Sequence, residues 1–186
     1  MEGMVKGRRR LLLGLSAAIG LPAAARAGQF YRYDALGRLI AATNSARQLT
    51  NYYYDAAGNR TQVAMQAFAG PSGANLPVGA ALFPGDALIS ADGRFGLIFQ
   101  WQDCNLVLYI LATGTALWSS GTSGKPGVFV VMQGDGNLVM YGPQASVIWA
   151  TYTSGSNTFA VTQTDGNFVI YNGSGAALWN TGTEGH

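Results

Sequence analysis

A pattern of polar and apolar side chains recurs in the second half of the chain, and its residue types suit contact with a hydroxylated ring such as a sugar. The pattern reads Gln-x-Asp-x-Asn-x-Val-x-Tyr. Two full copies are Gln133, Asp135, Asn137, Val139 and Tyr141, then Gln163, Asp165, Asn167, Val169 and Tyr171. The carboxylate accepts hydrogen bonds, the amides donate and accept them, and the valine offers an apolar contact. No group needs to transfer a proton, so the pattern predicts binding and not catalysis.

The first copy of the pattern departs from the others at its first position, where Trp101 stands between Gln100 and Gln102. The positions that match are Asp103, Asn105, Val107 and Tyr109. Successive side chains of a strand point to opposite faces, so Gln102 cannot simply replace the missing glutamine. We therefore expect this first site to be weak, altered or empty.

The spacing of the copies predicts a repeated β-structure of about 30 residues per unit. In a strand, the five residues of a copy would share one face, while Leu138 and Met140 would take the other. A single copy would equally fit the solvated face of an amphipathic strand, with Asp-Gly-Asn as a hairpin turn. Three near-identical copies favour the binding interpretation.

One tryptophan follows each copy, and these residues are Trp118, Trp149 and Trp179. A large aromatic residue that recurs once per repeat, in a chain whose single cysteine rules out an internal disulfide, is typical of a core. We predict that the three tryptophans fill the space where three sheets meet. The alternative is that they form platforms on which sugars stack.

The repeated pattern resembles the mannose-binding signature of the bulb-type lectins of monocot plants, a family that also occurs in bacterial proteins. The resemblance runs from about residue 80 to residue 186 and implies an all-β fold. The expected architecture is a β-prism of three four-stranded antiparallel sheets with pseudo-three-fold symmetry, with one shallow site for mannose-containing glycans per sheet. Plant relatives dimerise by exchanging terminal strands, which leaves a homodimer open. Cys104 matches a family cysteine that is commonly disulfide-bonded, but its partner is missing here.

A second, shorter repeat precedes this domain. Its copies begin at Tyr31 and Tyr52, and each places Tyr-x-Tyr-Asp before a glycine turn. They resemble the YD repeats of the Rhs family, in which many copies build a shell. Two copies cannot enclose anything, so for residues 28–66 we expect a small N-terminal β-hairpin region, or a strand-rich stalk without its own function. Residues 67–80 are rich in glycine and proline and predict a linker to the lectin-like domain, residues 81–186.

Residues 1–27 have the order of charge, apolar run and small residues that is typical of a secretory signal peptide. The run of three arginines at Arg8 resembles the twin-arginine export signal of bacteria, with an ordinary secretion signal as the alternative. The apolar run is shorter than the roughly 20 residues that span a bilayer, although an uncleaved anchor is a lesser alternative. We expect a secreted or periplasmic protein with no membrane span after signal removal.

Composition argues against several other functions. From residue 81 onward the only basic residues are Arg94 and Lys125, so the clustered positive charge of a nucleic-acid site is missing. His186 is the only histidine, which argues against a catalytic triad, and no residues have metal-ligand spacing. The acidic residues recur along the repeats instead of converging as a glycosidase pair would. We predict a protein that is not an enzyme and that uses no cofactor or metal.

Two alternatives to a simple lectin remain at this level. The first is a non-catalytic structural or interaction module that docks onto an Rhs-type assembly. It would keep the fold without binding mannose. The second is a lectin-like bacteriocin, which would kill related bacteria.

Overall fold

The computed structural model describes residues 29–186, which form sixteen β-strands in four antiparallel sheets of four strands each. The predicted signal peptide, residues 1–27, lies outside the described residues. Within residues 29–186 there is no α-helix, only a 3-10 turn at Pro143–Ala145, and hence no helix able to cross a membrane. The all-β class predicted from the sequence is confirmed.

The two short repeats form a complete four-stranded sheet, here called the N-terminal sheet, which is more than the small hairpin region expected. Its strands, in spatial order, are β1 (Phe30–Tyr33), β2 (Leu39–Thr43), β3 (Gln48–Tyr54) and β4 (Arg60–Ala67). Each repeat folds as a hairpin, and the two hairpins join because β2 also pairs with β3. The hydroxyl of Tyr54 donates to the carbonyl of Leu39 at 2.9 Å, which ties the second repeat to the first.

The aspartate of each short repeat closes its turn. In the first repeat, Asp34 Oδ1 accepts from the backbone N–H groups of Arg38 at 2.9 Å and Leu36 at 3.0 Å. Gly37 supplies the positive φ of +75° that the turn requires. These contacts, the backbone bond from Arg38 first, hold the pKa of Asp34 below its ordinary value. The Asp-x-x-Gly motif therefore forms and stabilises the turn, as its sequence predicts.

The remaining strands build three further sheets, here called the first, second and third repeat sheets. In chain order they are β5 (Asn75–Pro77), β6 (Ala81–Leu82), β7 (Ala87–Ile89), β8 (Phe95–Phe99), β9 (Leu106–Ile110), β10 (Thr115–Ser119), β11 (Phe129–Met132), β12 (Leu138–Tyr141), β13 (Val147–Ala150), β14 (Phe159–Thr162), β15 (Phe168–Tyr171) and β16 (Ala177–Asn180). The first repeat sheet has the order β10-β9-β8-β7, the second β13-β12-β11-β6 and the third β16-β15-β14-β5. The three sheets are not equivalent, because only the first consists of four consecutive strands.

The stretch predicted to be a linker, residues 67–80, contains the edge strand of the third repeat sheet. Leu76 in β5 is fully buried and pairs with Ala160 in β14. Pro77 is tolerated there because β5 is an edge strand, where a missing N–H costs no ladder hydrogen bond. This segment is therefore part of the repeat domain's structure and does more than connect two domains.

The three tryptophans that follow the copies meet in one cluster. Trp118, Trp149 and Trp179 come from β10, β13 and β16, and their ring centroids lie 5.6 to 6.1 Å apart in edge-to-face pairs. They pack against the main apolar core, which includes Phe99 and Phe168. The three tryptophans are half-buried, so they meet as predicted but cover the edge of the core and do not lie within it.

The N-terminal sheet packs on the repeat domain through a second apolar cluster and two arginines. Leu49 of the N-terminal sheet packs in one cluster with Phe83 and Phe129 of the repeat domain. Arg47 forms a buried ion pair with Asp86 at 2.7 Å. The other contact comes from Arg32, described next, so the two parts share both apolar and charged interactions.

Cys104 is buried and free of any disulfide. The guanidinium of Arg32 donates to Cys104 Sγ at 2.8 Å and to the carbonyl of Gly127 at 2.9 Å. Arg32 of the N-terminal sheet thus contacts the sulfur of Cys104, the residue that matches a commonly disulfide-bonded cysteine of the lectin family.

Candidate functional site

The second copy of the pattern is a strand, a turn and a strand, which corrects the expectation that all five side chains project from one strand. Only Val139 and Tyr141 lie in β12, whereas Gln133, Asp135 and Asn137 lie in the turn after β11. The turn closes because Gln133 N–H donates to the carbonyl of Asn137 at 2.9 Å. The Asp-Gly-Asn segment is therefore a hairpin turn, and its own side chains carry the polar groups.

Hydrogen bonds fix the polar groups of this second copy. Gln133 Nε2 donates to the hydroxyl oxygen of Tyr141 at 2.8 Å. Asp135 Oδ1 accepts from Asn137 N–H at 3.0 Å, and Asn137 Oδ1 accepts from the Thr151 hydroxyl at 3.1 Å. Among residues 29–186, no hydrogen-bond partner contacts Asp135 Oδ2 or the side-chain amide nitrogen of Asn137, so this copy keeps one acceptor and one donor available.

The third copy repeats this geometry. Gln163 Nε2 donates to the Tyr171 hydroxyl oxygen at 2.9 Å, and Asp165 Oδ1 accepts from Asn167 N–H at 2.9 Å. Asn167 Oδ1 accepts from the Thr181 hydroxyl at 2.8 Å. The second and third copies therefore offer the same set of groups.

An aromatic stack lies beside each of these two copies, and sequence reasoning missed it. Phe129 stacks on Tyr141 with ring centroids 5.3 Å apart, and Phe159 stacks on Tyr171 at 5.7 Å. The pairing follows from strand register, since Phe129 is opposite Tyr141. The signal in the sequence is a phenylalanine twelve residues before each tyrosine.

The valines of the pattern form the floor of each copy and present little surface. Val107, Val139 and Val169 are only 2 to 3% exposed. The expectation that the valine touches a sugar ring stays a prediction, and the structure leaves only a small part of each valine surface for such a contact.

The first copy has its glutamine after all, because Gln100 fills the position. Gln100 N–H donates to the carbonyl of Asn105 at 2.9 Å, and Gln100 Nε2 donates to the Tyr109 hydroxyl oxygen at 2.8 Å. The turn is one residue longer than in the other copies, so the extra residue displaces Trp101 to the surface, where it is 64% exposed. Counting back from Asn105 across a lengthened turn would have found Gln100.

The first copy differs instead at its carboxylate. Asp103 Oδ1 accepts from Asn105 N–H at 3.0 Å, and its other oxygen accepts from the Ser123 hydroxyl at 2.7 Å. Both oxygens of Asp103 are thus engaged within the protein, whereas Asp135 and Asp165 each have one oxygen free of partners in the described part of the chain. The copy is altered, but at a residue that the sequence pattern keeps.

No group of three or more His, Cys, Asp or Glu within residues 29–186 could hold a metal ion. The polar groups of the copies lie in three different sheets. Each copy therefore offers its own set of hydrogen-bond donors and acceptors, which suits a hydroxylated ligand.

The short repeats match a family model, described as RHS Repeat, over residues 31–65. This match confirms the interpretation of the N-terminal region as repeats of the Rhs type.

The sequence is also similar to lectins of Scorpaena plumieri and Narcissus tazetta. It is 41% identical over 70 residues to the B-type lectin plumieribetin of Scorpaena plumieri, covering 38% of this chain and 58% of that protein. It is 44% identical over 67 residues to a mannose-specific lectin of Narcissus tazetta, covering 36% of this chain and 45% of that protein. The chain thus spans about half the length of these relatives.

Two solved structures are similar over nearly their whole length. A Marasmius oreades lectin has 37% sequence identity and a TM-score of 0.56, with 63% of this chain and 97% of that chain covered. A monomeric monocot mannose-binding lectin from Gastrodia elata has 39% identity and a TM-score of 0.54, with 60% and 98% covered. The similarity therefore concerns the larger part of this chain and the complete fold of those proteins.

Proposed function

Because the repeat domain of this chain belongs to the bulb-type lectin family, we propose that it binds mannose-type glycans through the second and third copies of its pattern. Its lectin relatives mark it as a non-enzymatic carbohydrate-binding protein.

The observation that carries this proposal is the fixed hydrogen-bond pair of Gln133 and Tyr141 beside a free carboxylate oxygen. Since the tyrosine oxygen accepts from Gln133, its own proton remains available to a sugar oxygen. Asp135 accepts from one sugar hydroxyl, and the side-chain amide nitrogen of Asn137 donates to the oxygen of the same hydroxyl. Together with Tyr141, these groups recognise neighbouring hydroxyls of the sugar. The third copy offers the same groups on Asp165 and Asn167.

We also propose that the three repeat sheets form a β-prism with approximate three-fold symmetry, in which the second and third sheets each carry one sugar site. The meeting of one tryptophan from each repeat sheet supports this arrangement. Shallow sites of this kind bind single sugars weakly, so strong binding would need a glycan or surface that engages several sites.

We also propose that the protein is exported and acts in the periplasm or outside the cell. The order of basic, apolar and small residues within residues 1–27 supports export. Sequencing the N-terminus of the protein recovered from each cell fraction tests this. An intact N-terminus found only in the cytoplasm would contradict it.

The experiment that tests the sugar site is an NMR titration with methyl-α-mannoside. We expect amide signals of the second and third copies to shift in the wild type and to stay still in the double variant Asp135→Ala, Asp165→Ala. The matched control is Asp103→Ala, which we expect to leave those shifts intact because Asp103 is engaged with Ser123. A folded wild type that ignores the sugar would contradict mannose binding.

A second candidate function is a role in assembly, which the RHS Repeat match favours. The folded domain would then serve as a docking module for a larger Rhs-type partner. A wild type that binds no glycan and elutes from gel filtration in a complex with such a partner would support this candidate.

A further inference from the structure

We propose that the N-terminal sheet completes the second sugar site, so that this site takes a neutral glycan of at least two rings. The first ring would contact Gln133 and Tyr141, and the next would contact Gln66 and Phe68. This inference rests on the proposed lectin function and deepens it for one of the sites.

A cavity of about 710 Å³ lies between the N-terminal sheet and the second repeat sheet. On one side its wall includes Gln66 at the end of β4 and Phe68 just after it. On the other side it includes Gln133 and Tyr141 of the second copy. Its volume falls in the range of about 300 to 1,000 Å³ that is usual for ligand pockets. The cavity therefore adjoins two of the polar side chains proposed to hold a sugar, Gln133 and Tyr141.

The wall from the N-terminal sheet is held in place by the repeat domain. The ring of Phe68 lies 4.9 Å from that of Phe129 and 5.9 Å from that of Phe83. Phe68 N–H donates to the carbonyl of Arg47 at 3.1 Å, and Arg47 itself is paired with buried Asp86. A wall that is already ordered costs little entropy when a ligand binds against it.

The chemistry of the lining selects a neutral, partly apolar ligand. None of the residues that line the cavity, all of them within the described range 29–186, carries a charge. Gln66 is exposed and its amide can donate and accept, while the face of Phe68 suits the apolar C–H patch of a pyranose. A second neutral sugar ring joined to the first meets both requirements, whereas a sialylated or phosphorylated ring would bring an unpaired charge.

The third copy provides an internal comparison because no residue of the N-terminal sheet lines the cavity beside Phe159. The cavity beside Phe159 is formed within the repeat domain, by residues that include Asn75, Pro77 and Asn157, and neither Gln163 nor Tyr171 lines it. The third site should therefore distinguish little between one ring and two.

The test compares methyl-α-mannoside with an α-linked dimannoside, titrated into the full chain and followed separately by NMR at the second and third copies. We expect the dimannoside to bind the second copy about tenfold more tightly than the monosaccharide. At the third copy we expect the two affinities to differ by no more than about threefold, a difference that statistical factors and minor contacts would produce.

Two variants and one control assign the effect to the wall. Gln66→Ala and Phe68→Leu should each reduce the dimannoside preference of the second copy toward that of the third, with monosaccharide binding unchanged. Gln62→Ala, another exposed glutamine of β4 that does not line the cavity, should leave the preference intact.

The outcomes separate the inference from the function on which it rests. If the monosaccharide binds both copies but the second shows no dimannoside preference, or keeps it in both variants, the composite site is refuted and the lectin function stands. If neither sugar shifts any signal, the proposed function fails, and the composite site fails with it.

Discussion

Gly136 shows how a single residue sets the geometry of the second copy. Its φ is +93°, and a Cβ placed on it would lie 2.4 Å from the backbone nitrogen of Gly155. Gly155 packs so closely because its N–H donates to the carbonyl of Asp135 at 2.9 Å. The glycine therefore allows both the turn and the close approach of the loop that bonds the backbone of Asp135.

We expect Gly136→Ala to lower the free energy of unfolding by at least about 1–3 kcal/mol, the usual cost of a strained backbone, with the clash adding to it. Gly134→Ala is the matched control, since no atom lies within 4 Å of its added Cβ and its φ is not positive. It should change stability by less than about 0.5 kcal/mol. Urea unfolding followed by tryptophan fluorescence measures both. Equal losses would show that this turn tolerates a side chain.

At the scale of single residues, the sequence predicts most residues of the candidate site. It misses features that depend on an extra residue in a turn or on contacts between distant parts of the chain. Asp135, Asn137 and Tyr141 follow from the repeated pattern because the copies keep their spacing. Gln100 is missed because one added residue in the turn moves it out of register, and turns absorb such insertions without disturbing the strands. The bond from Ser123 to Asp103 joins residues distant in the chain, which no local pattern reveals.

At the scale of elements, β5 is the strand that sequence reasoning places in a linker. A three-residue strand is too short to show alternation, and its surroundings of glycine and proline are typical of loops. What makes it a strand is its pairing with β14, which supplies hydrogen bonds and buries Leu76. Here a tertiary contact determines the structure of a segment whose own composition favours a turn.

The burial of β5 can be tested with Leu76→Ala. We expect it to lower the free energy of unfolding by about 2–5 kcal/mol, as for other buried leucines. Val78→Ala is the control from the same segment, because Val78 is 43% exposed. It should cost well under about 1 kcal/mol. Thermal unfolding of the two variants measures the difference, and a true linker would give small and equal effects.

At the scale of the whole molecule, the N-terminal sheet and the repeat domain are joined by a buried ion pair. The side chains of Arg47 and Asp86 are 15% and 3% exposed, and Asp86 also accepts from Phe83 N–H at 2.8 Å. Arg47 donates in addition to the carbonyl of Ala81. Neither residue stands out in the sequence, since their partnership depends on how two separately predicted regions pack.

We expect Arg47→Met to destabilise the protein by about 3–5 kcal/mol, because Asp86 would be left as a buried charge without its partner. Arg38→Met removes the more exposed pair with Asp34, so its cost should stay below about 1 kcal/mol. Urea unfolding of both variants, followed at the tryptophan cluster of the repeat domain, measures the difference. Identical transitions in the two variants would mean that the buried pair of Arg47 and Asp86 contributes no more to stability than the exposed pair of Arg38 and Asp34.

The pairing of β5 with β14 also determines when the third repeat sheet can form during synthesis of the chain. Leu76 leaves the ribosome long before its partner Ala160 exists. At translation rates of about 5–20 residues per second, that wait is on the order of ten seconds. Throughout this interval the nascent chain carries an apolar strand with no neighbour, and the third repeat sheet is complete only once the last repeat has been made. Ribosomes that stop before residue 159 would release chains that cannot bury Leu76, and these are the products that chaperones and proteases would have to intercept.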